Sequence, residues 1–382
     1  MTLKRNSKLF LVLFLGTLSA FGPFVTDLYL PALPTMSSYF NSSTSTIQLT
    51  LTGSMVGLAL GQLLIGPISD KYGRKNPLII SLIVYLISTI AIIILPNVYT
   101  MIVLRFIQGV SSAGAVVISR AISTDLYHGR ELAAFFALLM AVNGLAPILS
   151  PILGSILLVL TDWRGIFVTL AMIGVILLTV SFKFNESLAV EKRLDLPITK
   201  TYYSIVHVAK NRLFFALVII QGFALATVFA YIAASPFILQ THYSLSPLMY
   251  INGFAIVLGS KSAGNFKEKI SIKLGLSLML LVSIYLAVAL TLTLPFLFIE
   301  VGFFLLLLGL GFILPSGSAI AMSLERERAG SASAFFGFVP FFLGGVVSPL
   351  VGIGNIFHSS AIAIVICSAI SFITFKSIEK KI

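Results

Sequence analysis

Apolar residues in this chain come in long unbroken runs, and polar residues gather in the short stretches between them. A helix that crosses a bilayer needs about 20 mostly apolar residues. Twelve runs meet that length, at approximately 9–30, 46–69, 77–95, 98–120, 132–159, 165–182, 213–238, 246–262, 273–293, 296–322, 331–354 and 359–376. A membrane barrel would instead alternate apolar and polar positions over segments of about 10 residues, and no such alternation is present. The one long polar stretch between runs is 183–212, which holds Glu186, Glu191, Lys192, Arg193, Asp195 and Lys200. Its central place predicts an all-α membrane fold of twelve helices in two six-helix halves. The N-terminal half is then 1–183, the linker 184–212 and the C-terminal half 213–382.

Composition excludes a soluble protein. Of 382 residues, 58% are hydrophobic and 10% charged, against roughly 25% charged in soluble domains. Mean hydropathy is +1.06. The net charge of +12 needs no nucleic-acid partner, because loops on the cytoplasmic side of membrane proteins carry excess Lys and Arg. With a cytoplasmic N-terminus, Arg164 is the one basic residue in an outward connection and Arg105 lies within the fourth span. The other 23 of the 25 Lys and Arg fall on the cytoplasmic side. Both termini and the linker are therefore expected in the cytoplasm of a multi-pass cell-membrane protein. Lys4, Arg5 and Lys8 ahead of an apolar stretch resemble a signal peptide, but that stretch runs on to about Pro34 and many like it follow. The single cysteine, Cys367, excludes a disulfide framework within the chain.

Ionisable residues inside spans are costly and so mark candidate chemistry. Asp27, late in the first span, and Arg105, early in the fourth, both fall in the outer half at comparable depth. Two readings fit them: a pair facing each other across a cavity, or two rim residues with Arg105 snorkelling outward. Glu300, early in the tenth span, reads equally as a substrate-cation or proton site and as a hydrated rim acid. Gln108, three residues after Arg105, shares its face. After the second span the chain reads Gly66-Pro67-Ile68-Ser69-Asp70-Lys71-Tyr72-Gly73-Arg74-Lys75. Gly66 and Gly73 there permit close approach and a sharp turn. The fifth span holds Asn143, Pro147, Pro151 and Gly154, a packing kink or a flexing element. The four histidines, His128, His207, His242 and His358, have no metal-ligand spacing, and no nucleophile–base constellation stands out, so neither a metal site nor an enzyme is expected.

These segments carry a resemblance. Gly66–Lys75 resembles the signature loop of the major facilitator superfamily, and Arg105-x-x-Gln108-Gly109 its span-4 motif. Ala146–Ser155 resembles the span-5 antiporter motif, with Pro151 and Gly154 matching and Ala146, Ser150 and Ser155 standing where that motif has glycine. Thr26–Pro34, Tyr231–Phe237 and Ala329–Ala334 are similar to the first span, the seventh span and the start of the eleventh in Bcr/CflA-type drug-resistance exporters.

The resemblance implies proton-coupled efflux, a drug/proton antiport of small amphipathic molecules by alternating access. Asp27, Arg105 and Gln108 match proton-coupling positions, and Gly66, Asp70, Gly73 and Arg74 the gating loop. Pro147, Pro151 and Gly154 belong to the antiporter motif, and Tyr29, Asn143, Tyr231 and Glu300 are candidate cavity residues. Expected partners are a small-molecule substrate, protons and the bilayer, with the proton gradient in place of a cofactor. A monomer in a bacterial inner membrane is expected. A dedicated metabolite exporter or a nutrient/proton symporter on the same fold is the rival reading.

The charge asymmetry sets the first test. Single cysteines at positions 2, 41, 195 and 242 are probed with an impermeant thiol reagent on intact cells. Labelling is expected at 41 and 242; labelling at 195 with 41 protected would overturn the orientation.

Overall fold

A computed structural model describes residues 8–95, 97–127, 129–193, 198–245, 254–325 and 329–382. Those residues are helical with short connections. The helices are α1 (Lys8–Asp27), α2 (Leu33–Tyr39), α3 (Thr44–Tyr72), α4 (Lys75–Ile94), α5 (Val98–Leu126), α6 (Gly129–Leu160) and α7 (Trp163–Lys183). After the linker helix α8 (Ile198–Ala209) come α9 (Arg212–Pro236), α10 (Phe254–Ala263), α11 (Glu268–Thr291), α12 (Phe296–Leu324), α13 (Ala329–Leu350) and α14 (Ile356–Ile378). Among the described residues, ten helices are long and apolar enough to cross a membrane. The predicted eighth span is described only as the ten-residue α10, since 246–253 lie outside the described residues. In α6 the side chains of Asn143 and Pro147 lie outside them too.

Local chemistry explains where several helices begin. Asn97 accepts from the amides of Tyr99 and Thr100, Asp162 from Arg164, Asn211 from Leu213 and Phe214, and Asn355 from Phe357. Each satisfies an orphan donor of the first helical turn. The predicted first span is broken. α1 stops at Asp27, a 3-10 turn follows at Leu30–Ala32, and α2 restarts at Leu33 with proline in its first turn. Pro31 and Pro34 remove the amides that would carry α1 onward.

The chain packs as two units, one of Met1–Tyr29 with Gly53–Tyr203 and one of Leu30–Thr52 with Ser204–Ile382. In the first unit α3 and α5 approach closely through glycines. A Cβ on Gly57 would stand 2.2 Å from the Phe106 carbonyl oxygen, and one on Gly109 would stand 2.1 Å from that of Ser54. Small residues are what let membrane helices pack backbone to backbone.

In the second unit, Pro315 within α12 leaves the Gly311 carbonyl without its usual amide. Ser260 of α10 donates to that oxygen at 3.2 Å, Ser271 of α11 to the Phe312 carbonyl at 3.0 Å, and Gln221 of α9 to the Leu314 carbonyl at 2.9 Å. Three helices thus supply donors around one proline. Residues 30–52 are fastened within this unit as well. Gln48 Nε2 donates to the Ala233 carbonyl at 2.9 Å, Gln240 Nε2 to that of Pro31 at 3.1 Å, and Ser45 Oγ to that of Pro349 at 3.0 Å.

The glycine contacts make a paired prediction. Gly109→Val is expected to cost about 1–3 kcal/mol through overpacking and to lower the heat-aggregation midpoint in detergent. Gly66→Ala should leave that midpoint unchanged or raise it, because a Cβ there meets only Val117 Cγ1 at 3.6 Å. Equal behaviour of the two variants would contradict the packing account.

Candidate functional site

Asp27 is the last residue of α1 and 5% exposed; Arg105 and Gln108, on α5, are wholly buried. The sequence left open a facing Asp27–Arg105 pair and two rim residues, and the burial of both side chains argues against the rim. The two share a depth but form no ion pair. Arg105 Nη2 donates to the Val25 carbonyl at 2.9 Å and Nη1 to Gln108 Oε1 at 2.5 Å. Val25 lies in the last turn of α1, where carbonyls have no further helical turn to supply their donors. The guanidinium serves that turn instead of the carboxylate two residues on. Asp27 Oδ1 has no hydrogen-bond partner among the described residues.

Aromatic rings enclose the guanidinium. Arg105 Cζ lies 4.1 Å from the Tyr29 ring centroid and 5.7 Å from that of Phe167, and the two rings are 5.8 Å apart. Such stacking on a desolvated cation is worth about 2 kcal/mol. Tyr29, expected to line a cavity, is wholly buried as part of this cover. Tyr231 is 5% exposed, its ring 4.3 Å from that of Phe303, which is packing within the second unit. Glu300 is half-buried in the second turn of α12.

The signature loop forms a second cluster in the first unit. Gly73 has φ +89°, a conformation that side chains disfavour. It turns the chain from α3 into α4, so the expected sharp turn is present there. Gly66 is different: it lies inside α3 with room around it, so no close approach there requires a glycine. Arg74 is 5% exposed. Its Nε and Nη2 bond both oxygens of Asp125 at 2.9 and 3.2 Å, and its Nη1 bonds Ser69 Oγ at 2.9 Å and also Asp70. Burial works against the Arg74 charge, yet the hydrogen bonds and charges of Asp125 and Asp70 outweigh it and lift its pKa further above the usual guanidinium value.

Glu186, from the start of the linker, completes this cluster. Its Oε1 accepts from the amides of Arg74 at 3.0 Å, Ser187 at 2.9 Å and Leu188 at 3.1 Å, and its Oε2 from that of Lys75 at 3.1 Å. Arg74, at the N-cap of α4, makes no side-chain cap of its own. A distant carboxylate takes that place and meets the positive end of the helix dipole. Sequence reasoning missed Asp125 and Glu186 as members of this cluster. A signal existed: both are acids a few residues past the ends of apolar runs, at 120 and 182, in a chain with only 13 Asp and Glu.

Of the antiporter-motif residues, Pro151 and Gly154 are buried in α6, which runs unbroken past them. Ser150 and Ser155, standing where that motif has glycine, return their hydroxyls to the carbonyls of Ala146 and Pro151. Among the described residues no group of three or more His, Cys, Asp or Glu is placed to hold a metal ion.

Comparison with known proteins agrees with this architecture. The profile of the Major Facilitator Superfamily matches residues 9–349. An uncharacterized MFS-type transporter, YdgK of Bacillus subtilis, is 36% identical over 362 residues, covering 92% of this chain and 90% of its own. A bicyclomycin resistance protein homolog of Haemophilus influenzae is 28% identical over 60% of this chain and 58% of its own. Among solved structures, an inward-facing bacterial homolog of the human lysosomal transporter Spinster superposes with a TM-score of 0.75 at 15% identity, over 98% of this chain and 99% of that one. The Escherichia coli xylose transporter XylE superposes at 0.70 and 14% identity, over 94% and 96%. At such identities the structural likenesses speak to the fold. With its membrane-length helices, its Gly73–Arg74 loop and a profile match along most of its length, the chain belongs to the Major Facilitator Superfamily, a family of transporters rather than enzymes.

Proposed function

We propose that this transporter is a drug/proton antiporter that exports small, partly apolar molecules. It works by alternating access between two six-helix halves of a twelve-helix monomer, with both termini on the cytoplasmic side of a bacterial inner membrane. The observation that carries the reading is Asp27, a buried carboxylate at a break in α1, with one oxygen unpartnered and a fixed guanidinium nearby. Burying a charge is costly unless it is paired. A proton arriving at Asp27 removes that cost, and a change of state that wets the site restores the charge. Coupling needs no more than that difference between the two states. Each elementary charge moved across 100 mV adds about 2.3 kcal/mol of drive.

Substrate class is argued from polarity. A sugar site needs many donors and acceptors, whereas the central polar residues here are few and the chain has 31 phenylalanines. Relatives named for bicyclomycin, chloramphenicol and multidrug resistance support export of drug-like molecules. The Arg74 cluster would brace one state of the cytoplasmic gate, since it ties α3, α4, α5 and the linker into a single hydrogen-bonded group.

Expression in a pump-deficient host should lower accumulation of at least one amphipathic compound from a broad panel, with a protonophore restoring it. Unchanged accumulation across the panel, together with proton-dependent uptake of a hydrophilic nutrient, would favour the symporter reading. In inside-out vesicles Asp27→Asn should abolish transport driven by an imposed proton gradient while sparing substrate binding. Full proton-driven transport by that variant would move the role elsewhere, with Glu300 next in line.

Asp70→Asn should slow turnover and leave substrate affinity and pH dependence intact. Asp125→Asn should additionally lower thermal stability by about 1–3 kcal/mol, because Asp125 is far less exposed than Asp70, at 12% against 46%. Loss of binding in folded Asp70→Asn, with turnover per bound substrate unchanged, would contradict a gating role.

A further inference from the structure

A glutamine amide can face a neighbour with its oxygen or its NH2, and only the oxygen accepts from a guanidinium. Something must therefore hold Gln108 with its oxygen toward Arg105, and the structure shows what does. Gln108 Nε2 donates to Thr89 Oγ1 of α4 at 2.7 Å. Thr89 Oγ1 in turn donates its one proton to the Tyr85 carbonyl, four residues back, at 2.7 Å. With that proton committed, the hydroxyl offers the amide a lone pair and nothing else. Thr89, Gln108 and Arg105 are each wholly buried in this state. A directed chain results: Arg105 to Gln108, Gln108 to Thr89, Thr89 to a helix backbone. Its other end is Arg105 Nη2 on the Val25 carbonyl, two residues before Asp27.

We propose that Thr89 is a positioning residue for the proton site: it fixes the Gln108 amide, which fixes Arg105, whose charge contributes to the proton affinity of Asp27. The proposal rests on the reading of Asp27 as the coupling acid. Arg105 is the charge that acts on Asp27 from the elements packed against α1. The other charged residues of α6 and α7, namely Arg130, Glu131, Arg164 and Lys183, belong to the first or last turns of their helices, as do Lys8 in α1 and Lys75 in α4. Arg120 and Asp125 lie in the far half of α5, and the Tyr85 and Tyr29 rings pack against Phe21 and Arg105.

The protein carries its own reporter. Its single tryptophan, Trp163, stands 6.0 Å from the Phe167 ring that covers Arg105. The test is a pH titration of Trp163 fluorescence in purified, detergent-solubilised full-length protein, from about pH 4 to 9. Wild type should show a transition that Asp27→Asn removes. Thr89→Val keeps shape but removes the acceptor. It should move the midpoint to higher pH by about half a unit or more, because a loosened cation favours the carboxylate less. Thr89→Ser, which keeps the hydroxyl, should titrate like wild type. Thr89→Ala takes the place of the valine variant if that one does not fold. A folded Thr89→Val or Thr89→Ala protein with an unmoved midpoint overturns the positioning role, as does a Thr89→Ser midpoint displaced as far as theirs. A wild type with no transition that depends on Asp27 instead sinks the reading of Asp27 as the proton site.

Discussion

Inside a bilayer there is no water to complete an unfinished hydrogen bond, so each polar group on a spanning helix must find its partner in the protein. Much of the internal structure of this chain follows from that constraint. Buried serines and threonines return their hydroxyls to carbonyls three or four residues earlier, as Ser119, Ser123, Ser150 and Ser181 do. The proline in α12 is tolerated because Ser260, Ser271 and Gln221 supply donors to the carbonyls around it. The guanidinium of Arg105 is tolerated because a backbone carbonyl, an amide oxygen and two aromatic rings surround it.

The two charged clusters of the first unit use opposite strategies. Around Arg74 three carboxylates converge on one arginine and one helix N-terminus, so charge is neutralised by charge. Around Arg105 no carboxylate among the described residues makes contact, and the cation is held by neutral acceptors and π faces. Two of its nitrogens are held that way, while Nε has no hydrogen-bond partner among the described residues; a cation anchored to neutral groups stays put whether or not a nearby acid is charged. That suits a fixed reference charge beside a titrating group, and it is why the proposed function gives Asp27 and Arg105 unequal parts. Asp27 lies at the end of a helix that two prolines prevent from continuing, and the boundary between the two packing units falls two residues later, after Tyr29.

Most of the architecture is legible in the sequence because the signals are local and additive. Hydropathy locates the ten described membrane-length helices, and the unbroken α6 matches the fifth apolar run. Asn97, Asp162, Asn211 and Asn355 mark helix starts by their own chemistry. Gly73 is readable as a turn because its backbone conformation is a property of that residue. The break after Asp27 was written in Pro31 and Pro34, yet a continuous apolar run concealed it, since apolar length and helical continuity are separate properties.

The sequence by itself determined which residues are unusual: Asp27, Arg105 and Gln108 stand out as polar groups where few are tolerated, and Asp70 and Arg74 through the loop motif they share with Gly66 and Gly73. Only the tertiary structure decided whom each one meets. Shared depth suggested Asp27 for Arg105, but depth fixes position along a helix and not rotation about it, and the guanidinium meets the Val25 carbonyl instead. Glu186 caps α4 across 112 residues of sequence, and Thr89 fixes the Gln108 amide from a third helix. Tyr29, read as a cavity residue, became the cover on a buried cation. A buried polar group takes the partner that packing brings within about 3 Å, and that choice is made by how helices are rotated and stacked, which no single segment of the chain encodes.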